Sequence, residues 1–291
     1  MKKFGVVIVT YNPNMSKLRK DVSKILETTD SLVIVNNGED VLTDLPMVKI
    51  LELKGNKGIA KAQNIGAEFL KNEDIPFVFF LDQDSEFNTE YFNEMLLVWK
   101  KIERKDNKIG MLSPEILDKN FGSSSSILQV SKKGLKKINF SEEKKVVINT
   151  LPISSGILVS TKAFFEVDGT QSKLFIDFVD FDLDLNMIVQ GYHIFSTNYC
   201  NIRHSIGNKK KRSFFGKAVY PSNHAVFRDY YFYRNGLYVY KKYGKGFRGL
   251  RLFILRSYLI RFIMVYYEKM KFKRIIATTR GIFDGIMGRF N

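Results

Sequence analysis

The chain is poor in the residues that build disulfide scaffolds and cysteine-based metal sites. Its 291 residues include one cysteine, Cys200, and three histidines. A single thiol excludes a disulfide framework and a zinc site made of cysteines, so a reducing compartment is the default expectation. With 45% hydrophobic residues, the chain is long enough to bury one large core, or a core and a smaller appendage.

Two nucleotide-binding signatures are also missing. No G-x-G-x-x-G follows the first apolar stretch, residues 4–9, and the chain contains no P-loop. Hydride transfer and NTP hydrolysis are therefore not favoured. The first residues imitate a signal peptide, but their apolar stretch is too short and ends at Tyr11-Asn12-Pro13 without a small-residue cleavage site. We interpret this stretch as the first strand.

Acidic residues are scarce in the last third of the chain. Residues 205–291 carry 20 Lys and Arg against 3 Asp and Glu, whereas residues 1–204 carry 26 against 27. The whole net charge of +16 therefore comes from the last third. A near-neutral body with a basic tail predicts an anionic partner, either membrane lipid or nucleic acid.

The longest apolar stretch of that tail, residues 250–267, does not have the character of a membrane span. Arg251, Arg256 and Arg261 interrupt it, and charged side chains in the centre of a bilayer are costly. A straight helix over residues 249–280 would gather only some of its basic residues on one face. An interfacial helix and a helical pair packed on the body both remain open.

Strand and helix patterns alternate through the first part of the chain. The apolar runs at residues 4–9, 32–35, 48–51 and 77–81 predict strands, and residues 15–27 and 58–70 predict helices. This alternation predicts an α/β fold with a doubly wound sheet and flanking helices. The polar stretch at residues 119–145 is expected to form hairpins or loops outside the central sheet.

The most informative motif is Asp82-Gln83-Asp84, directly behind the apolar run at residues 77–81. The carboxyl ends of parallel strands are where open α/β sheets bind ligands. Hard oxygen ligands suit Mg²⁺ or Mn²⁺, and an ion held there can bridge a diphosphate. On this spacing alone, an acidic turn that stops the strand and caps the next helix is an equal alternative.

Polar residues follow the other predicted strands as well. Residues 9–12 and 36–38 offer hydroxyl and amide groups that can face a base and ribose, although Asn-Gly is also an ordinary turn pair. Residues 55–58 place two glycines at a strand-to-helix junction, where backbone can approach a phosphate closely.

A second acidic cluster and one histidine complete the candidates. Asp177, Asp180 and Asp184 have helical spacing, and crowded like charges raise a carboxylate's pKa, which suits a general base. Acids that complement a helix dipole are the alternative. His204, behind the predicted strand at residues 193–196, is a candidate ligand for the same ion as Asp84, although a lone histidine is more often structural.

In their order along the chain, these motifs resemble the inverting family-2 glycosyltransferases of the GT-A fold. The matching pieces are residues 9–12, Asn36-Asn37-Gly38, Asn56-x-Gly58, Asn64-x-Gly66, residues 81–85, residues 175–180, Gly191-Tyr192, residues 204–207, residues 228–231 and Arg234-Asn235. The nearest resemblance within the family is to bacterial rhamnosyltransferases, which build surface polysaccharides from dTDP-L-rhamnose.

The resemblance implies a role for each matching position. The donor nucleotide-sugar would be bound by Thr10, Tyr11, Asn12, Asn36, Asn56, Gly58, Asn64, Asp82, Gln83, Ser155 and Gly156. Asp84 and His204 would hold Mn²⁺ or Mg²⁺, and Asp180 would deprotonate the acceptor hydroxyl. Two positions depart from the wider family: Val179 stands where an acid is common, and Asn36 stands where many relatives have Asp.

The resemblance also implies an organisation and a setting. Residues 1–207 would form the GT-A catalytic domain on a mixed sheet, and residues 208–291 a basic, aromatic-rich helical extension bound to membrane or acceptor, or forming a homodimer. The expected enzyme is cytoplasmic and peripheral on the inner face of the membrane. It moves L-rhamnose onto a lipid-linked or polysaccharide acceptor, or else uses a UDP-hexose or UDP-galactofuranose donor.

Two rival interpretations lie outside glycosyl transfer. Interleaved aromatics such as Tyr230, Tyr231, Tyr233 and Tyr238, with the basic charge, are also typical of a nucleic-acid-binding protein. A catalytically idle sugar-nucleotide sensor is the other. The glycosyltransferase interpretation expects no nucleic acid partner. A retaining hydrolase would also use two carboxylates, but it would need a water path and no nucleotide pocket.

Overall fold

The computed structural model describes residues 3–45, 47–119, 124–131, 133–204, 212–214, 217–221 and 223–290. Within these residues the strands are β1 (Gly5–Thr10), β2 (Leu32–Asn36), β3 (Lys49–Glu52), β4 (Phe77–Asp82), β5 (Ile109–Asp118), β6 (Ile127–Ser131), β7 (Gly134–Ile138), β8 (Val146–Ile148), β9 (Thr150–Leu151), β10 (Ile157–Ser160), β11 (His193–His204), β12 (Arg212–Phe214) and β13 (Lys217–Val219). The α-helices are α1 (Met15–Leu26), α2 (Ile59–Asn72), α3 (Tyr91–Glu103), α4 (Thr161–Glu166), α5 (Val179–Val189), α6 (Phe227–Tyr243), α7 (Leu250–Val265) and α8 (Lys271–Met287).

The central sheet has eight strands in the order β3-β2-β1-β4-β10-β5-β11-β8. The pairs β1–β2, β1–β4, β2–β3 and β5–β11 are parallel, whereas β10 and β8 run antiparallel to their neighbours. The predicted doubly wound, mixed sheet with flanking helices is thus confirmed. From β1 the chain moves outward through β2 and β3 and returns to β4 on the other side of β1. A crevice opens beyond the carboxyl ends of strands at such a switch point.

The core lies on both faces of this sheet. Along β1, Val6 and Ile8 join one buried cluster while Val7 and Val9 join the other, because successive side chains of a strand point to opposite faces. Helices α1 and α3 cover the first face and α2, α4 and α5 the second. A strand buried on both faces has a continuous apolar sequence, which is the pattern that residues 77–81 show.

The strand predicted at residues 193–196 is the first part of a longer strand. β11 extends from His193 to His204, and it pairs with β5 on both sides of an irregularity between Ser196 and Asn201. Residues 146–160 form three strands, β8, β9 and β10, and Ser154, Ser155 and Gly156 lie between β9 and β10. As predicted, residues 119–145 contribute a hairpin, β6–β7, which joins β9 in a separate three-stranded sheet.

The C-terminal part of the chain folds as helices packed on the body. Residues 249–280 form two helices rather than one, because Met270 takes a left-handed conformation (φ 59°) at the start of α8. Buried Asp229 on α6 pairs with Arg261 on α7 and Arg274 on α8, at 2.5 and 2.6 Å. Among the helices of the described residues, none combines the length and apolar character needed to cross a bilayer. The expected domain boundary at residues 207 and 208 lies outside the described residues.

Candidate active site

Three potential metal ligands converge at the carboxyl ends of β4 and β11. Asp82 ends β4, Asp84 follows in the next turn and His204 ends β11. His204 Nε2 lies 3.8 Å from Asp82 Oδ2, and His204 Nδ1 lies 3.3 Å from Asp84 Oδ1. One ligand atom from each residue fits within 4.8 Å of the other two. Two carboxylates and an imidazole are a donor set that suits Mn²⁺ or Mg²⁺.

The three members of this cluster shift one another's pKa values. Burial raises the pKa of Asp82, and the neighbouring charge of Asp84 adds to the effect. Burial also acts to raise the pKa of Asp84, but the hydrogen bond and charge of His204 outweigh it, so that this pKa is lowered. The pKa of His204 is raised, because the two carboxylates outweigh its burial. A cation in the cluster would add positive charge beside the two carboxylates and favour their ionised forms.

Residues 154–156 are held against the same cluster. The Ser155 hydroxyl lies 2.7 Å from that of Ser85 and 3.5 Å from His204 Nδ1. Gly156 has a φ of +78°, and a Cβ at this position would clash with Tyr91 and Ile202, so only glycine fits. These contacts hold the segment beside the metal cluster, and a border of the donor sugar at Ser155 and Gly156 stays a prediction from the resemblance.

Asp180, in the first turn of α5, lines a cavity of about 430 Å³ together with Asp82 and His204 of the metal cluster. Ser154 lies next to the Asp180 carboxylate and acts to lower its pKa. Burial raises the pKa of Asp180 to about 6, and the charges of Asp82 and Asp177 contribute. The raised pKa agrees with the expectation from crowded acids, although burial is the larger cause. A carboxylate with this pKa is ionised at pH 7 and is more basic than an ordinary aspartate.

The other acids of that cluster do not share Asp180's position. Asp177 precedes α5 rather than lying on one of its faces, because it has a positive φ of 62°. Asp182 is buried and accepts hydrogen bonds from Lys242 Nζ and the Tyr243 hydroxyl, each at 2.9 Å. Burial raises the pKa of Asp184 well above its ordinary value, which favours a neutral carboxyl group. Of the acids at residues 180–184, Asp180 is the one that lines the cavity.

Arg228 and His224 also line the cavity, and neither was predicted from the sequence to belong to the site. Arg228 on α6 forms a two-point ion pair with Asp177, at 3.0 and 2.5 Å, and its Nη1 lies 3.2 Å from His224 Nδ1. Burial and the charge of Arg228 lower the pKa of His224 to about 4, so this imidazole is neutral at pH 7. Residues 228–231 belonged to the resemblance, but nothing local in the sequence brings Arg228 to Asp177.

At the end of β1, Tyr11 and Gln83 join two loops of the expected nucleoside pocket. The Tyr11 N–H donates to Gln83 Oε1 at 2.7 Å, and Gln83 Nε2 donates to the Tyr11 carbonyl at 3.1 Å. The Tyr11 side chain stays 50% exposed and free to stack on a base, whereas Thr10 is buried. Asn12 has a positive φ of 48°, and its side chain lies close to Gly38. These contacts favour a supporting role for Gln83.

Three further expected donor-binding positions use their polar groups inside the protein. Asn64 accepts from Thr170 N–H at 2.9 Å and donates to Thr170 O at 2.7 Å. Asn56 Oδ1 accepts from Gly58 N–H at 3.0 Å. At Gly58, a Cβ would lie 2.6 Å from the carbonyl oxygen of Phe175. These contacts favour structural roles, in which the α2 amino end is tied to residues 170–175.

The tyrosines that suggested nucleic-acid binding pack within the helical region. The Tyr233 hydroxyl donates to Tyr258 O at 2.9 Å, and that of Tyr230 to Asp284 at the same distance. Tyr231 stacks on Phe175 with 4.7 Å between ring centroids. Rings engaged in this way do not form the open row on which successive bases stack.

Comparisons with known proteins bear on the family and the fold of this chain. The profile of the family described as Glycosyl transferase family 2 matches residues 5–155. A curated relative, the dTDP-rhamnosyl transferase RfbF of Shigella flexneri, is 29% identical over 300 residues, covering 98% of this chain and 97% of the relative. A crystal structure of GalNAc-T7 with UDP, GalNAc and Mn²⁺ superposes with a TM-score of 0.55 at 14% identity. That match covers 81% of this chain and 51% of the other, so the chain spans about half the length of this structural neighbour.

Proposed function

The chain belongs to glycosyl transferase family 2, and from this premise we propose that it transfers L-rhamnose from dTDP-L-rhamnose to an acceptor hydroxyl with inversion. The observation that carries the proposal is the cavity that Asp180 lines together with Asp82 and His204, two members of the cluster that Asp84 completes. The rhamnosyl donor is supported by the relative that aligns over 98% of this chain. In keeping with surface polysaccharide synthesis, the acceptor is a lipid-linked or oligosaccharide chain.

The chain's own residues perform the proton transfer. Asp180, ionised at pH 7, takes the proton of the acceptor hydroxyl. The acceptor oxygen then forms a bond to the anomeric carbon while the bond from that carbon to the diphosphate oxygen breaks. One displacement of this kind inverts the anomeric centre and releases dTDP. Asp180 lines the same cavity as Asp82 and His204, so a donor and an acceptor bound there would be within reach of both the base and the metal cluster.

Asp82, Asp84 and His204 are the residues that would hold Mn²⁺ or Mg²⁺. A cation held there would neutralise the charge that develops on the departing diphosphate. The geometry extends the sequence-based assignment in one respect. Asp82, expected to contact ribose or the sugar diphosphate, is also close enough to be a third ligand.

We also propose that the outer surface of α7 and α8 lies on an anionic membrane, at the inner face of the cell membrane. Its exposed apolar side chains include Leu252, Leu259, Phe262, Phe272, Ile276 and Phe283. Residues 250–290 contain two acids, Glu268 and Asp284, and both are buried. The exposed charged groups of residues 250–290 are therefore basic, and together with the exposed apolar groups they complement an anionic bilayer. A second copy of the chain is the alternative occupant, and it would give a dimer in solution.

A donor screen tests the transfer. Purified protein with Mn²⁺ or Mg²⁺ is offered dTDP-rhamnose, UDP-glucose, UDP-galactose and UDP-galactofuranose, and release of nucleoside diphosphate is measured. We expect release from dTDP-rhamnose that depends on the metal. Release from a UDP-sugar instead would replace the donor and keep the enzyme class. Donor binding without release from any of the four would support a sugar-nucleotide sensor.

A further inference from the structure

The segment that leads into α5 has a backbone that requires support. Phe175, Asp177 and Phe178 have positive φ angles of 65°, 62° and 60°. L-residues seldom adopt this region, and they keep it only where the surrounding structure holds them there. The path of this segment determines where α5 begins and therefore where Asp180 stands.

Asn235, on α6, supplies that support at the backbone. Its Nδ2 donates to the carbonyl oxygens of Leu174, Ile176 and Asp177, at 2.7, 2.8 and 2.9 Å. Asn235 is completely buried. An amide group has two hydrogens, so the three carbonyls share them and at least one bond is bifurcated. The side chain of Asn235 thus binds three backbone carbonyls in the segment whose residues have positive φ angles.

Arg234 fixes the direction of that amide. Its Nε donates to Asn235 Oδ1 at 3.0 Å, which leaves the Nδ2 group of Asn235 turned toward the carbonyls. Its Nη2 donates to Lys173 O at 2.6 Å. The guanidinium lies 5.3 and 4.7 Å from the ring centroids of Tyr230 and Tyr231, and the side chain is buried. Of these contacts, the bond to Lys173 O joins α6 directly to the segment before α5, and the others hold the guanidinium in place on α6.

We propose that Arg234 and Asn235 are positioning residues for the transfer reaction, holding residues 173–177 so that Asp177 meets Arg228 and Asp180 faces the cavity. Neither side chain is among the described residues that line the cavity, so both act through the segment they hold. The inference rests on the proposed function, because it takes Asp180 to be the base. It makes α6 part of the catalytic apparatus rather than an appendage.

The test compares Asn235→Ala with Tyr233→Phe in the full chain. Tyr233 is also buried on α6, but its hydroxyl bonds to Tyr258 O on α7 and not to the segment before α5. Both variants lose buried hydrogen bonds and are expected to lower the melting temperature. We expect Asn235→Ala to lower kcat about 100-fold with a donor KM within about 3-fold, because a displaced base affects the reaction more than binding. Tyr233→Phe should stay within about 2-fold of the wild type in both constants.

Hydrogen exchange of residues 172–180, measured without any donor, gives a second and local readout. It should become faster in Asn235→Ala and stay unchanged in Tyr233→Phe. If Asn235→Ala does not fold, Arg234→Lys is used, since it keeps the charge beneath the rings and loses the bond to Asn235 Oδ1. Its kcat should fall about 10-fold, with faster exchange in the same peptide.

Equal kcat for Asn235→Ala and Tyr233→Phe, or unchanged exchange at residues 172–180, would overturn the inference. In the Arg234→Lys arm, a kcat within about 2-fold of wild type would do the same. These outcomes differ from failure of the proposed function, which would show as a wild-type protein that releases no dTDP from dTDP-rhamnose. In that case the exchange experiment still decides whether Asn235 holds the segment.

Discussion

The side-chain amide of Asn36 donates a hydrogen bond to the carboxylate of Glu52, with 2.7 Å between Nδ2 and Oε2. Its second hydrogen goes to Asp40 O at 2.7 Å, and its oxygen accepts from Gly38 N–H at 3.2 Å. Buried Asn36 therefore has no donor left for a nucleobase, whereas Glu52, at the exposed end of β3, keeps a carboxylate oxygen that can accept. The imide N–H of thymine or uracil requires an acceptor.

From this relationship we predict that Glu52, and not Asn36, supplies the acceptor for the base. Glu52→Gln should weaken dTDP binding in the presence of Mn²⁺ about 10-fold, because a charge-assisted hydrogen bond becomes a neutral one. Isothermal titration calorimetry measures the effect, with Glu27→Gln, an exposed carboxylate at the end of α1, as the control. Equal affinity for the Glu52 and Glu27 variants would mean that the base is recognised elsewhere.

The same substitution, Asp to Asn, should affect kcat strongly at Asp180 and weakly at Asp184, although the two residues are one helical turn apart. Asp180→Asn should lower kcat about 1000-fold with little change in donor KM, because the general base is lost. Asp184→Asn should keep kcat within about 3-fold, since burial already favours the neutral form of that carboxyl group. Steady-state kinetics with dTDP-rhamnose measures both. A large loss of kcat in Asp184→Asn alone would shift the catalytic role to the interior of α5.

The raised pKa of Asp180 predicts the acidic limb of the pH profile. A general base acts in its ionised form, so kcat should fall as the pH drops through about 6. A cation beside Asp82 adds positive charge near Asp180 and moves this midpoint downward. Profiles of kcat from pH 5 to 8 at saturating donor and metal are the measurement. A kcat that instead rises as the pH drops from 8 to 5 would be inconsistent with Asp180 as the base.

Two histidines beside aspartates provide a matched test of the metal site. His204 lies near two carboxylates, whereas His193 pairs with Asp106 at 2.6 Å and belongs to no such cluster among the described residues. His204→Gln should weaken Mn²⁺ binding about 100-fold, because a ligand of the ion is removed. His193→Gln should leave it unchanged. Titration followed by electron paramagnetic resonance of free Mn²⁺ distinguishes the two. Unchanged binding in His204→Gln would restrict the ligands to carboxylates.

The sequence predicts the parts of the site that follow local rules. Asp82 and Asp84 could be placed at a sheet edge because a buried strand has a continuous apolar run and its carboxyl end is where ligands bind. Contacts made over long separations could not be placed in this way. Asp177 and Arg228 are 51 residues apart, and Leu174 and Asn235 are 61 apart. Nothing in either segment indicates its partner, because packing of α6 on α5 determines both contacts.

The same limit applies to the C-terminal helices. The sequence showed a basic, apolar tail but left an interfacial helix and a packed helical pair open. The structure has the pair, with the carboxylates of Asp229 and Glu268 buried against Arg261 and Arg274. Pairing of Arg261 with these acids explains why an arginine interrupts an apolar stretch. With those charges neutralised inside, the exposed surface is left with basic and apolar groups.

That surface predicts binding to anionic vesicles that depends on particular lysines. Exchanging exposed Lys269, Lys271 and Lys273 for Gln should weaken binding to phosphatidylglycerol vesicles about 100-fold, since each basic group near such a surface contributes about 1 kcal/mol. Deleting residues 246–291 is a less suitable variant, because it would expose the buried partners of α6. The control exchanges Lys133, Lys136 and Lys137, which are exposed at the β6–β7 hairpin, and makes the same change in net charge.

Flotation with vesicles of phosphatidylglycerol or phosphatidylcholine, at low and high salt, separates the possible outcomes. A loss of binding confined to the variant at residues 269–273 supports a membrane face on α7 and α8. An equal loss in both variants means that net charge alone drives the association. If neither variant changes binding and the protein sediments as a dimer, the exposed apolar groups of α7 and α8 are the contact between two copies of the chain.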